Sequence, residues 1–103
     1  MEFMHIGVVT DKVQENENYA EDLKVYITDP EASEFKFEYL RFEEDTPLPE
    51  VMQKNPHVAF KVNNLDTYLK ENDVVVEPFM AEENLRIAFI IKDNLLMELM
   101  EEC

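Results

Sequence analysis

Two halves of the chain repeat one order of residues, in which a strand that begins with histidine precedes a strand that contains glutamate. The first half holds His5 and Glu38, and the second half holds His57 and Glu98. These are the only two histidines of the chain. Imidazole nitrogens and carboxylate oxygens are common ligands of divalent metals. The repeat therefore predicts a duplicated β module that brings four metal ligands together.

Side-chain alternation assigns these residues to one face of the predicted sheet. Successive side chains of a strand point to opposite faces, so residues of equal parity lie together. The neighbours of opposite parity are mostly large and apolar: Ile6, Val8, Phe37, Tyr39, Val58, Phe60, Met97 and Leu99. The pattern predicts that this apolar face packs under helices and that the four ligands lie on the other face.

The second half shows a clear order of elements. Apolar runs predict strands over residues 57–62, 73–79, 85–92 and 95–100, with a helix over 64–71 between the first two. Asn64 is a plausible N-cap of that helix. Asp93 and Asn94 stand between two β-rich runs and predict a tight hairpin turn. The second half is thus predicted to be a β-α-β-β-β module.

The first half is predicted to be an abridged version of the same module. Strands are expected over residues 3–9, 23–28 and 35–43, which is one strand fewer than in the second half. The polar residues 11–22 have too weak a periodicity to decide between a short helix and an ordered loop. The prediction is therefore an α+β fold of paired βαβββ modules that form a curved mixed sheet, with module one abridged.

One domain is expected over residues 1–103, because a chain of this length supports a single modest core. Module one spans about residues 1–45 and module two spans 57–103. The linker, residues 46–56, holds three of the five prolines and is predicted to include a helical turn around Glu50–Lys54.

Composition excludes several classes of partner. The formal net charge is -15, from 24 acidic and 9 basic side chains. Such a chain has no basic stripe for nucleic acid and no attraction to an anionic membrane surface.

The N-terminal residues carry no basic region and no long apolar run, so neither a signal peptide nor a membrane span is expected, and the predicted location is the cytoplasm. Cys103, the only cysteine, cannot form a disulfide within the chain.

Several segments resemble those of the vicinal oxygen chelate superfamily, which includes glyoxalase I, methylmalonyl-CoA epimerase, extradiol dioxygenases and fosfomycin-resistance proteins. Residues 57–65 resemble the opening of that superfamily's second module. Residues 86–90, followed by 97–99, resemble its closing hairpin, and residues 44–57 look most like the epimerase branch. The resemblance implies a curved sheet of paired modules around a metal, in some members completed across a dimer.

Carried over by position, the metal ligands would be His5, Glu38, His57 and Glu98. This set is similar to that of glyoxalase I, whereas epimerases usually have glutamine where Glu38 stands. The dioxygenase and fosfomycin branches use only the equivalents of His5, His57 and Glu98. The identity of Glu38 therefore discriminates between the branches.

The function predicted from this resemblance is a metal-dependent lyase or isomerase that acts by proton abstraction next to a carbonyl. Glu98 or Glu38 would be the base, and their roles are interchangeable. The metal would be zinc, nickel, cobalt or manganese, all of which suit nitrogen and oxygen ligands. The substrate would be a small molecule other than glutathione, since no basic site for glutathione's carboxylates is evident. A homodimer is expected because a short chain with edge strands tends to pair.

Two alternative functions predict different features. A ligand-binding protein without catalysis, similar to bleomycin-resistance proteins, would have an apolar pocket and no metal. An iron-dependent dioxygenase would bind iron through His5, His57 and Glu98, with Glu38 pointing away. Lys36 and Lys61 share faces with the ligands, and each would either hold an anionic substrate group or pair with a glutamate.

Overall fold

The computed structural model describes residues 1–103 and contains eight strands, two α-helices and a short 3-10 helix at Pro30–Ala32. The strands are β1 (Glu2–Val9), β2 (Asn18–Ala20), β3 (Val25–Ile27), β4 (Phe37–Phe42), β5 (His57–Lys61), β6 (Asp73–Glu82), β7 (Leu85–Lys92) and β8 (Leu95–Glu102), and the helices are α1 (Glu50–Lys54) and α2 (Leu65–Glu71). The chain divides into two compact units. The N-terminal unit is His5–Pro56, and the C-terminal unit is His57–Cys103 together with Met1–Met4. No helix is long and apolar enough to span a membrane.

The C-terminal unit has its strands in the order β5-β8-β7-β6. The β5–β8 pair is parallel, and the other two pairs are antiparallel. Helix α2 begins after Asn64, whose side chain accepts a hydrogen bond from the Thr67 N–H, so the predicted N-cap is confirmed. Leu65 of the helix packs on one face of this sheet in a buried cluster with Val62, Ala88, Ile90 and Leu99. The predicted apolar face under a helix is therefore confirmed for this unit.

The β7–β8 hairpin turns at Asp93 and Asn94, as predicted. Both residues have left-handed backbones, with φ of 52° and 66°, between the paired residues Lys92 and Leu95. Positive φ at both central residues is the mark of a type I′ turn, which matches the twist of a hairpin. Strands β6 and β8 extend two to three residues beyond their predicted ends, because their pairing with β7 continues to Leu85.

The N-terminal unit has its strands in the order β2-β3-β4-β1, with β1 and β4 parallel. Its buried apolar side chains include Val25, Leu40 and Met52. Residues 10–17 form no helix and lead into the short strand β2. The expectation of one strand fewer was wrong, because β2 has only three residues and lies in a polar stretch without alternation. The predicted helical turn in the linker is confirmed as α1.

Candidate metal centre

The first histidine–glutamate pair lies on β1 and β4 of the N-terminal unit. Gly7 stands opposite Glu38 in the parallel ladder, and His5 lies two residues before Gly7, on the same face. His5 Nε2 is 3.3 Å from Glu38 Oε1. Gly7 is the only glycine of the chain. Because it has no side chain, it leaves the space between the imidazole and the carboxylate open.

The second pair lies on β5 and β8 of the C-terminal unit. Ala59 stands opposite Glu98 in the parallel ladder, and His57 lies two residues before Ala59. His57 Nε2 is 3.0 Å from Glu98 Oε1. The side chains of this pair are only 1% and 8% exposed, against 6% and 17% for His5 and Glu38. Both pairs are therefore withdrawn from bulk water, and the second is the drier of the two.

The register of the two pairs is the same. In each unit the histidine precedes by two residues a glycine or alanine that faces the glutamate on the neighbouring parallel strand. The small residue in the middle position lets the longer side chains on either side meet above the sheet. The repeated order seen in the sequence thus corresponds to a repeated local geometry.

The donor set fits a divalent metal ion. Burial of a carboxylate is costly unless the charge is compensated. The buried Glu98 and the partly buried Glu38 each lie within hydrogen-bonding distance of an imidazole, which is positively charged only when it is protonated. Each unit supplies one imidazole nitrogen and one carboxylate oxygen, and both are common ligands of divalent cations. The groups present therefore allow such an ion to bind, while leaving its identity undecided.

Phe89 supports His57 and was not singled out from the sequence. The two rings meet edge to face, at an interplanar angle of 86° with centroids 5.3 Å apart. Phe89 also stands directly opposite Glu98 in the antiparallel β7–β8 ladder. Such a contact restrains the orientation of the imidazole. The sequence does not reveal this role, because Phe89 lies in a continuous apolar run in which alternation cannot assign a side chain to one face of the sheet.

The two lysines predicted to lie on the ligand faces pair with carboxylates, which was one of the two predicted alternatives. Lys36 pairs with Glu31. Lys61 Nζ lies 2.7 Å from Glu102 Oε1 and 3.5 Å from Glu2 Oε1. The hydrogen bond to Glu102 raises the pKa of Lys61, so its ammonium is charged at neutral pH. Both ammonium groups are therefore held in ion pairs with carboxylates of the same chain.

No protein-family model matches the chain, and no curated protein matches it by sequence. Among solved structures, it is similar to the crystal structure of methylmalonyl-CoA epimerase from Mycobacterium tuberculosis, with a TM-score of 0.59 and 16% sequence identity. The similarity covers 99% of this chain and 88% of the epimerase chain. At this identity the likeness shows the fold, and it confirms the predicted glyoxalase-like fold class.

Proposed function

We propose that this protein is a metal-dependent lyase or isomerase of the glyoxalase and epimerase type. It would remove and return a proton next to the carbonyl of a small substrate. The observation that carries this proposal is the pair of histidine–glutamate contacts in identical register, at 3.3 and 3.0 Å, in which only Glu38 is partly exposed. The fold shared with an epimerase adds support by analogy alone.

The proposed ligands of a single divalent ion are His5, Glu38, His57 and Glu98. These side chains would hold the ion, and its remaining coordination positions would accept a substrate with adjacent oxygens. Zinc, nickel, cobalt and manganese all suit this nitrogen and oxygen set. When bound, the ion would act as a Lewis acid toward the carbonyl oxygen of the substrate.

The two glutamates have the second role, which is proton transfer. A carboxylate next to the substrate carbon accepts the proton. Return of a proton to the opposite face of that carbon gives epimerisation, and return to the neighbouring carbon gives isomerisation. Glu98 and Glu38 are the candidates. Comparing Glu38→Gln with Glu98→Gln distinguishes them, since glutamine keeps the size and an oxygen ligand but cannot accept the proton.

The position of Glu38 favours a lyase or isomerase over the iron-dependent dioxygenase. That alternative requires Glu38 to point away from the ligand set, yet its carboxylate lies 3.3 Å from His5 Nε2. We also propose that the protein acts as a homodimer, because β6 is a ten-residue strand at the end of the strand order, where exposed pairing groups favour association.

Elemental analysis of the purified, tag-free protein tests the metal proposal. We expect about one equivalent of a transition metal per chain, and its complete loss in both His5→Ala and His57→Ala. Added metal at about one hundred times its dissociation constant should raise the free energy of unfolding by about 2.7 kcal/mol. Glu77→Gln, which changes an exposed carboxylate in β6, is the matched control and should retain the metal.

Two outcomes would overturn the proposal. No bound metal, even after incubation with zinc, nickel, cobalt and manganese, would favour the ligand-binding alternative. Metal binding of unchanged affinity in either single histidine variant would contradict one ion shared by both pairs. If one ion does bind, exchange of substrate protons with deuterated water, followed by NMR on α-hydroxycarbonyl compounds, measures the catalytic step directly.

A further inference from the structure

A cleft of about 370 Å³ opens in the C-terminal unit, on the face of the sheet that carries His57 and Glu98. Lys61 lines it and follows His57 by four residues on β5. Met100 also lines it and follows Glu98 by two residues on β8. Two residues of a strand span about 7 Å. The cleft therefore begins about 7 Å along β8 from the position of Glu98, one of the two proposed catalytic carboxylates.

The cleft combines an apolar floor with a single cation. Met4, Leu85 and Met100 supply the floor, and methionine side chains adapt to ligands of different shape. Lys61 is the only basic residue in the lining. This combination suits a short alkyl chain that carries one anionic group.

The partners of Lys61 can be exchanged for a ligand. The side chains of Glu102 and Glu2 are 67% and 65% exposed, whereas that of Lys61 is 34% exposed. Ion pairs of this exposed kind are weak because water competes for both charges. A substrate carboxylate can therefore replace Glu102 at the ammonium while Glu102 turns into solvent. Glu102 is ionised at neutral pH, since the hydrogen bond from Lys61 lowers its pKa.

The rim of the cleft is acidic and selects against highly charged substrates. Glu82, Glu83 and Glu102 set three carboxylates against one ammonium, a net formal charge of -2. At least six of the nine basic residues of the chain are held in ion pairs: Lys24, Lys36, Arg41, Lys54, Lys61 and Arg86. The phosphates of a coenzyme A carrier would meet repulsion at this rim and find few cations nearby.

We infer that the substrate is a small hydroxy or oxo acid whose single carboxylate binds Lys61, and that coenzyme A thioesters are excluded. This inference rests on the proposed function, because it assigns the cleft to the substrate of that site. It separates this chain from the epimerase of similar fold, whose name specifies a coenzyme A substrate. The discriminating feature is the acidic rim formed by Glu82, Glu83 and Glu102.

Two-dimensional NMR titration of the metal-free, nitrogen-15-labelled protein tests the inference, with lactate and coenzyme A as the two probes. Lactate should shift the amide signals of Lys61, Leu85 and Met100, and coenzyme A should shift none of them. Lys61→Met should weaken lactate binding by about five-fold or more, whereas Glu102→Gln should strengthen it by about three-fold. Lys70→Met, on helix α2, is the matched control and should leave the affinity unchanged.

Coenzyme A binding as tight as lactate binding, or an unchanged lactate affinity in Lys61→Met, would overturn the inference. If Lys61→Met does not fold, the inference is tested by Glu102→Gln alone, which must bind lactate more tightly than the unchanged protein does. The absence of metal keeps this test separate from the proposed function. Lactate binding at Lys61 in a protein that binds no metal would refute the function and keep the carboxylate site. Metal binding together with an unchanged lactate affinity in Lys61→Met would support the proposed function and refute the carboxylate site.

Discussion

The two units place a histidine–glutamate pair in the same register, yet they support their sheets in different ways. In the C-terminal unit, helix α2 covers the face opposite the pair and packs on a fully buried apolar cluster. In the N-terminal unit, residues 10–17 form no helix, and the corresponding strand positions are only half-buried. The register of the parallel strands, and not the layer behind them, therefore defines the geometry of each pair.

Polar contacts compensate for the missing helix in the N-terminal unit. Glu17, at the end of the loop, accepts two hydrogen bonds from the Arg41 guanidinium, at 2.9 and 2.8 Å. It also accepts one from the Gln14 N–H. Arg41 lies over the ring of Tyr26, 4.0 Å from its centroid. The N-terminal unit thus adds this charge and aromatic network to its buried apolar residues, on the side where the C-terminal unit has helix α2.

The largest predicted effect concerns the apolar core of the C-terminal unit. Leu99 is fully buried, one residue after Glu98 and on the opposite face. Leu99→Ala should lower the free energy of unfolding by about 3 kcal/mol, from lost burial and the cavity that remains. Urea denaturation measures this loss. Leu95→Ala is the matched control, since Leu95 is 47% exposed, and it should cost less than about 1 kcal/mol. Equal losses would contradict the assignment of stability to this core.

The same contrast explains how much the sequence could predict. The strands of the second half followed from long apolar runs, and the four proposed ligands from the repeated order of histidine and glutamate. Strand β2 could not be predicted from the sequence, because its three residues adopt the strand conformation by pairing with β3 and have no strand pattern of their own. The partners of Lys61 lie 41 and 59 residues away in the chain, at Glu102 and Glu2. Such long-range contacts leave no local periodicity to detect.

A smaller effect is predicted for the ion pair of the N-terminal unit, and it depends on pH. The hydrogen bonds from Arg41 hold the pKa of Glu17 below its ordinary value of 4.5. A depressed pKa in the folded state stabilises the fold above that ordinary value, and the contribution is lost as the pH falls through the folded-state pKa. Arg41→Met should therefore lower the melting temperature at neutral pH, and the difference from the unchanged protein should shrink below about pH 4.5.

Thermal unfolding at a series of pH values measures this difference. Lys54→Met is the control, because Lys54 pairs with Glu50 at an exposed site on α1 and should change the melting temperature little. A difference for Arg41→Met that stays constant down to pH 3 would show that Arg41 acts by packing on Tyr26 alone. The N-terminal unit would then depend on aromatic contacts without a contribution from charge.

The smallest predicted effect comes from backbone strain, where the units again differ. The C-terminal unit places Asp93 and Asn94 at left-handed positions, and these residue types tolerate that conformation. The N-terminal unit places Lys36 there, with φ of 60°, directly before β4. Lys36→Gly should raise the free energy of unfolding by up to about 1 kcal/mol, since relief of strain exceeds the entropic cost of glycine.

Chemical denaturation of three variants separates strain from charge in this region. Lys36→Ala loses the ion pair with Glu31 but keeps a Cβ, so it should give no gain, and Asn94→Gly should change stability by less than about 0.5 kcal/mol. The carbonyl of Lys36 accepts the hydrogen bond from the Ile6 N–H, 2.9 Å away, which aligns β1 with β4. If Lys36→Gly stabilises the protein, the left-handed backbone there is a strain that accompanies the register of His5 and Glu38. If it does not, the lysine is already relaxed, and that register is maintained by the ladder alone.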